Sequence, residues 1–464
     1  MKKTRAHAWW VVAVTALSIA LLGASACEGD DTEVSSGFDD AATADTSTPS
    51  DASDANVGDA VTPFDANSDA PCASGACVVG LAANGHDSCA IMSDSTVRCW
   101  GSNNNGELGF GSPDANTVAF VNVATPTTVP GLHDVKSVAV GGFYDPATNG
   151  FTCALIADGG VLCWGVDNEG QLGRGDAGPD FVDPTPAPVL LPGPVMQVSA
   201  SADTACAVEQ TGDILCWGGN GFKEVSPVLG PQVSVPTTII APTTFTQVSV
   251  GVDICAISID KHVWCWGRPT FGSSGRLATD GGLQDVVPAE LDGLDNVVQI
   301  AAAEPGSCAL TSDGVVHCWG GTAFGNGTSL LGRGDVDSGQ FDPNPAPVVM
   351  PSGVIFKQLV AHSYGFCALD QFGSVWCWGN NYYGSDAITY ADGGGVYPVW
   401  VPTQVSSLSN IVELASGGAA MHVCALDRNG AVKCWGYNMY EQLGTPLFDG
   451  GPVTSLIPLD VVFP

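Results

Sequence analysis

CALDRNGAVKCWG, residues 424–436, holds two cysteines ten positions apart, a turn between them and a closing Cys-Trp-Gly. The pattern occurs seven times, with the pairs Cys89/Cys99, Cys153/Cys163, Cys206/Cys216, Cys255/Cys265, Cys308/Cys318, Cys367/Cys377 and Cys424/Cys434 each followed by Trp-Gly. Pairing the two arms as antiparallel strands centres the hairpin on Asn429 and leaves the loop Arg428-Asn429-Gly430. A three-residue hairpin loop takes a left-handed residue at its third place, most cheaply Gly. Gly stands there at 159, 212, 314, 373 and 430; Ser95 and Lys261 are the exceptions. Counting outward places each cysteine pair at a non-hydrogen-bonded position, where Cα atoms are about 4.5 Å apart and a disulfide can form. One step inward, every unit pairs an aliphatic with a β-branched residue on the cysteine face, as in Leu426/Val432 and Ile91/Val97. Strict alternation puts the Trp on the opposite face. Both faces of the hairpin are apolar, which suits a sheet sandwiched between neighbouring sheets.

Two more strand-like segments flank each hairpin. Before it run VMQVSA from Val195, FTQVSV from Phe245, VVQIAA from Val297, FKQLVA from Phe356 and IVELAS from Ile411. After it comes Pro-x-x-aliphatic, from Pro126/Val129 to Pro458/Val461. A Pro at a strand start suits an outer edge, where its missing N–H is not needed. Successive Cys-Trp-Gly motifs are 49 to 64 residues apart. So regular a repeat overrides the two or three domains that 464 residues would suggest. Seven such units predict an all-β fold, a seven-bladed β-propeller of four-stranded antiparallel blades spanning residues 72–464, which leaves only short protected edges. Two closures fit: seven blades each complete in sequence, or a last strand near Val461 that completes the first blade.

Residues 1–26 read as an export signal: Lys2, Lys3 and Arg5, then an apolar run from Ala8 to Ala24. The run ends in Ala24-Ser25-Ala26-Cys27, which looks like a bacterial lipobox with Ala24 where Leu is usual. Cys27 is then the lipid-attachment residue and the membrane anchor; Ala-Ser-Ala also fits ordinary cleavage and plain secretion. Cysteine parity supports the lipid. Of 17 cysteines, fourteen sit in repeats and Cys72 and Cys77 can bridge each other, leaving Cys27 as the odd one. Residues 27–71 form an Asp/Ala/Ser/Thr-rich segment with twelve acidic residues and no Lys or Arg, which reads as a disordered spacer. The net charge of -34 and mean hydropathy of +0.19 describe an acidic chain with a foldable body.

The pattern CAL-x-x-D/N-G-x-V-x-CWG, followed by Glu/Gln-Leu-Gly and Pro-x-x-Val, resembles the regulator of chromosome condensation repeat. Gly106-Glu107-Leu108-Gly109, Gly170-Gln171-Leu172-Gly173 and Glu441-Gln442-Leu443-Gly444 carry its second part. The resemblance implies a seven-bladed propeller. It points to functions as different as nucleotide exchange on a small GTPase, light reception, and inhibition of β-lactamases by secreted bacterial members, so it fixes no activity. The paired cysteines depart from the eukaryotic pattern. Thiols in cytosol and nucleus stay reduced, so seven bridging pairs argue for an extracytoplasmic address and against nucleotide exchange.

No His-Glu-x-x-His, Gly-x-Ser-x-Gly or phosphate-binding Gly-x-x-x-x-Gly-Lys occurs. No cofactor or metal is expected. The calcium-like Asp335-Val336-Asp337-Ser338-Gly339 has Ala346 where a closing Glu belongs, and Cys pairs with nine residues between them do not match zinc knuckles. His86, His362 and His422 precede repeat cysteines and read as structural. Arg-Gly-Asp at 174–176 and 333–335 falls at one repeat position, which explains it better than adhesion. Residues 78–464 carry 11 basic and 36 acidic residues, a poor charge for nucleic acid. In an up-down blade the connections between strands 1 and 2 and between strands 3 and 4 share one side. All eight tyrosines fall in such connections, including Tyr382, Tyr383, Tyr390, Tyr397, Tyr437 and Tyr440 of the last two blades, with Trp400 near in sequence. Tyr and Trp are enriched in binding hot spots. The sequence therefore predicts a monomeric, non-catalytic, surface-anchored module that binds a protein or glycan there, an inhibitor of a secreted enzyme being one form of it. The alternatives are an enzyme with a site assembled from propeller loops, and nucleotide exchange.

Overall fold

The computed structural model describes residues 77–111, 121–142, 150–175, 178, 181–267, 272–276, 285–303, 306–321, 331–334, 342–388, 398–446 and 453–464. The signal, the spacer, Cys27 and Cys72 lie outside the described residues, as do Tyr390, Tyr397 and the Asp335–Gly339 segment. Seven four-stranded antiparallel sheets, the blades, follow one another along the chain. Blade 1 is Val78–Asn84, Asp87–Met92, Val97–Gly101 and Val123–Thr128. Blade 7 is Ile411–Ala415, His422–Asp427, Val432–Tyr437 and Thr454–Val461. In every blade the strands lie side by side in chain order. The last strand pairs with Val432–Tyr437 of its own blade, so each blade is complete in sequence and the ring closes without strand exchange.

The hairpin has the expected register. Cys424 faces Cys434 and Leu426 faces Val432. All seven repeat pairs are disulfide-bonded: Cys89–Cys99, Cys153–Cys163, Cys206–Cys216, Cys255–Cys265, Cys308–Cys318, Cys367–Cys377 and Cys424–Cys434. Their Cα atoms are 4.0–4.1 Å apart. That corrects the about 4.5 Å expected from an unbridged pair at this position: the covalent link draws the two strands together. Regular alternation does not continue into the outer strand, because the ladder shifts register between Cys99 and Gly101, between Cys216 and Gly218, and between Cys265 and Gly267. The other four blades shift at the same place. The Trp between each such Cys and Gly has no partner in the outer strand, which leaves its ring to the neighbouring blade. Cys77 is disulfide-bonded as well.

At the third loop place Gly430 has φ +82°, and the two non-glycine residues adopt the same conformation, Ser95 at 64° and Lys261 at 65°. A side chain there costs about 1 kcal/mol, partly offset by the freedom that Gly adds to the unfolded chain. Ser95→Gly and Lys261→Gly should each stabilise the protein by about 0.3–1 kcal/mol, read as a higher thermal midpoint. A lower midpoint for both would reject this account of the loop.

The Trp face packs blade on blade. All seven repeat tryptophans are fully buried. Trp164 Nε1 donates to the Glu107 carbonyl of the preceding blade at 2.7 Å. Trp217, Trp266, Trp319 and Trp435 donate in the same way to the carbonyls of Gln171, Glu224, Ser273 and Ser385. Glu107 and Gln171 are the residues before Leu in Glu/Gln-Leu-Gly, so that motif presents a carbonyl to the next blade; Glu224, Ser273 and Ser385 do the same without the Leu-Gly. The motif's glycine is required twice over. Gly109 has φ +77°, and a Cβ there would stand 2.7 Å from Trp164 Nε1.

Blade 7 meets blade 1 by the same device, Trp100 Nε1 donating to the Gln442 carbonyl at 3.0 Å. An apolar cluster also spans this junction, joining Val78, Met92 and Trp100 to Leu426, Leu443 and Val461. The first strand of every blade is innermost, and together these strands line a central cavity of about 300 Å³. Each carries a bulge near its start, as between Phe356 and Gln358 or Ile411 and Glu413. A bulge re-aims the side chain that follows it, here toward the neighbouring blade.

Candidate binding face

In blades 1, 2, 3, 6 and 7 the connection after Trp-Gly is fixed by one side chain two residues on. Asn381 Oδ1 accepts from the Asp386 amide at 3.0 Å, and its Nδ2 donates to the Ile388 carbonyl at 3.0 Å. Asn438 Oδ1 likewise accepts from Leu443 N at 2.9 Å. Asn103, Asp167 and Asn220 make the corresponding bond in blades 1 to 3. These buried staples hold the connections that bear the tyrosines. Blade 6 is tied to blade 7 on the same side, because the Ser363 amide and hydroxyl both donate to the Ala420 carbonyl at 2.7 Å.

On this frame the aromatic rings form one continuous strip. Tyr382 meets Tyr383 edge-on with centroids 4.9 Å apart. Tyr383 stacks on Tyr364 at 6.0 Å and meets Tyr437 at 5.3 Å. Tyr437 meets Tyr440 at 6.2 Å, and Tyr440 lies 4.5 Å from the His86 ring of blade 1. The strip thus crosses blades 6, 7 and 1. Tyr382 is 66% exposed and Met439 beside Tyr440 is 44% exposed, whereas Tyr364, Tyr383, Tyr437 and Tyr440 are half-buried and His86 is buried. Partial burial, with Tyr382 alongside, raises the Tyr383 hydroxyl above its ordinary pKa; partial burial and then Tyr440 and Tyr383 do so for Tyr437. Both are neutral phenols, able to donate and accept hydrogen bonds. Trp400 is half-buried on the outer strand Val399–Gln404, where its carbonyl accepts from Gly334 N at 3.0 Å.

The repeat cysteines take no part in this face. Cys99, Cys216 and Cys265 are fully buried, like their partners Cys89, Cys206 and Cys255. What the second cysteine offers beyond its sulfur is a carbonyl for an arginine of its own blade. Arg276 donates to the Cys265 carbonyl at 2.7 Å. Arg174 and Arg333, from the two Arg-Gly-Asp triplets, donate to the Cys163 and Cys318 carbonyls and bind Asp183 and Asp342, so these arginines are structural.

The histidines before the repeat cysteines lie inside the ring. His362 Nε2 and Asp386 Oδ1 are 2.9 Å apart, both fully buried. Asp386 stands at the Leu position of the Leu-Gly motif, where blades 1, 2, 5 and 7 bury Leu108, Leu172, Leu331 and Leu443. Cys367 Sγ lies within 4.8 Å of the ligand atoms of both, but it is bonded to Cys377 and offers no thiolate. His422 Nε2 and Ser88 Oγ are 2.8 Å apart across the junction of blades 7 and 1. Burial, then the neighbouring His86, lowers the pKa of His422 to about 3. A small cavity of about 100 Å³ between blades 3 and 4 is lined by Asp203, Glu224 and Phe222. Burial, with Asp203 nearby, raises Glu224 to about 7.

Residues 94–144 and 158–208 match the model of the regulator of chromosome condensation repeat, and residues 78–107 match a second model of it. The ultraviolet-B receptor UVR8 of Arabidopsis thaliana is 26% identical over 317 residues, 67% of this chain and 68% of its own length. The guanine nucleotide exchange factor SRM1 of Saccharomyces cerevisiae is 25% identical over 400 residues, 76% and 80% of the two chains. Among solved structures, Prp20p from Saccharomyces cerevisiae shares the fold with a TM-score of 0.65 at 23% identity, covering 79% of this chain and 85% of that one. Human WBSCR16 follows at 0.63 and 20% identity, covering 80% and 94%. Residues 78–144 and 158–208 thus match the regulator of chromosome condensation repeat, in a chain folded as a seven-bladed propeller.

Proposed function

We propose that this chain is an exported, non-catalytic propeller that holds a protein partner on the tyrosine strip of blades 6, 7 and 1. The observation that carries the reading is the strip itself. Five tyrosines and His86 make ring-to-ring contact on stapled connections. Rigid amphipathic rings of this kind give large contact area at low conformational cost. The relatives fit a protein-binding role: SRM1 is named an exchange factor, and the Prp20p structure is described with its binding to Gsp1p and histones. The seven disulfides are compatible with an extracellular protein. The apolar N-terminal run supports export and Cys27 supports a lipid anchor on a bacterial membrane, with secretion as the outcome if Cys27 is not acylated. That address disfavours nucleotide exchange on a cytosolic GTPase, and the acidic body disfavours nucleic acid.

Crosslinking on intact cells, followed by mass spectrometry of what the full-length chain captures, identifies the partner. The triple variant Tyr382→Ala, Tyr383→Ala, Tyr440→Ala should then weaken binding about thirtyfold or more, the scale of a hot spot. Its circular dichroism should be unchanged. Full capture by a folded triple variant would remove the proposal. Capture of saccharides instead of polypeptide would assign the strip to glycans.

A further inference from the structure

In blades 3 to 6 the residue after the inner-strand bulge is Gln197, Gln247, Gln299 and Gln358. Each reaches the inner strand of the next blade. Gln197 accepts from Val248 N at 2.7 Å and donates to Val248 O at 3.1 Å. Gln299 does the same with Leu359, at 2.8 Å for both bonds. Gln358 does so with Leu414, at 2.8 and 3.0 Å. Gln247 accepts from Ile300 N at 3.2 Å. The side-chain amide thus stands in for a peptide group and links neighbouring inner strands around the cavity. At the closing junction, from blade 7 to blade 1, the same position holds Glu413. Its Oε1 accepts from Leu81 N at 3.1 Å, as each Gln Oε1 does. The counterpart of the second bond is donation to the Leu81 carbonyl, and only a protonated carboxyl has the hydrogen for it.

We propose that Glu413 is a proton-operated clasp on the ring: protonated it makes both bonds to Leu81, and ionised it keeps one and sets a negative charge against the Leu81 carbonyl. Its surroundings supply no substitute. Glu413 is the one charged side chain lining the central cavity among the described residues. The inner strand of blade 1 has no titratable residue. The adjacent strand of blade 7 carries His422, held by Ser88, and Asp427, whose Oδ1 accepts from the turn amides of Asn429 and Ala431. The inner strand of blade 6 carries Lys357, which is exposed, and His362, which pairs with Asp386. Burial raises the pKa of Glu413 to about 7, opposed by the Leu81 amide. An unfolded Glu titrates near 4.5. The folded pKa is the higher one, so the folded state holds the extra proton. The clasp contributes fully below pH 4.5 and is lost as pH rises through 7. This goes beyond the proposed partner binding and does not depend on it.

The test compares urea unfolding of the full-length protein and its Glu413→Gln variant at pH 4.5 and pH 8. Gln supplies both bonds at every pH. The folding constant of the variant relative to the parent should rise about ten- to hundredfold between the two pH values, the lower figure allowing for the edge of Glu413 that meets the cavity. Other buried carboxylates cancel in that ratio. A ratio independent of pH would overturn the proposal. Should the variant not fold, hydrogen exchange on the parent decides. The Leu81 amide exchanges only when the junction of blades 7 and 1 opens, so its protection, corrected for intrinsic exchange, should fall tenfold or more from pH 5 to pH 8 as the second bond is lost, and constant protection would overturn the clasp.

Discussion

Trp217→Ala should destabilise the propeller by about 4–6 kcal/mol, whereas Trp217→Phe should cost about 1–3 kcal/mol. Trp217 is fully buried and packs with Phe151, Leu172 and Val189 of the preceding blade. Its Nε1 donates to the Gln171 carbonyl at 2.9 Å, and a Cβ on Gly173 would stand 2.9 Å from the same nitrogen. Truncation to Ala empties a space whose walls are held by their own disulfides and strand ladders, so it collapses little. That makes the cavity cost large, and the Gln171 carbonyl loses this donor as well. Phe keeps most of the apolar area and loses only the N–H. Urea unfolding of the three proteins separates the two contributions. A cost below about 2 kcal/mol for the Ala variant would show that neighbouring blades do not depend on this ring.

The second large effect is redox. Each repeat disulfide closes a hairpin between cysteines ten positions apart, which the chain-entropy account values at about 2–3 kcal/mol. Seven of them, even at half that value, match the about 5–15 kcal/mol that stabilises a typical domain. Their sulfurs are buried, with every repeat cysteine 1% exposed or less. Reductant alone should therefore leave the native protein intact, with the fourteen repeat cysteines unlabelled by alkylating reagent in mass spectrometry. Reductant with denaturant should expose all fourteen, and removing the denaturant while keeping the reductant should not restore the fold. Refolding to the original thermal midpoint in reductant would show that the disulfides are dispensable, and would weaken the case for an oxidising compartment.

What could be read from the sequence was whatever short range determines. Loop length fixes hairpin register, so the turn glycines, the facing cysteines and the buried Trp all followed from a spacing of ten. The register shift beyond Cys99, Cys216 and Cys265 did not, because it depends on how the outer strand returns through a connection of variable length. Other features join residues that meet only once the ring is assembled. Glu107-Leu108-Gly109 is conspicuous as a motif, yet its use as an acceptor for Trp164 links positions on different blades. The Gln of VMQVSA recurs visibly, but its partner Val248 lies one blade on. The two closures use the same strands, so only the pairing of Thr454–Val461 distinguishes them. Up-down topology led to the expectation of a tyrosine-rich side; Tyr364, Tyr382, Tyr383, Tyr437 and Tyr440 adjoin one another, while Tyr144, Tyr390 and Tyr397 lie outside the described residues. His86 was missed as the strip's end point, because it adjoins Tyr440 only where the first and last blades meet. Trp400 shows the converse: near Tyr397 in sequence, it belongs to an outer strand.

Because no sheet borrows a strand from the far end of the chain, one coding segment corresponds to one physical sheet. A recombination event between two such segments would insert or delete a whole blade and leave every other sheet uncut. The number of blades can then drift by gene duplication, limited by the angle at which neighbours meet. The tryptophan, its acceptor carbonyl and the bridging glutamine travel with the segment, so a newly copied blade arrives already fitted to both neighbours.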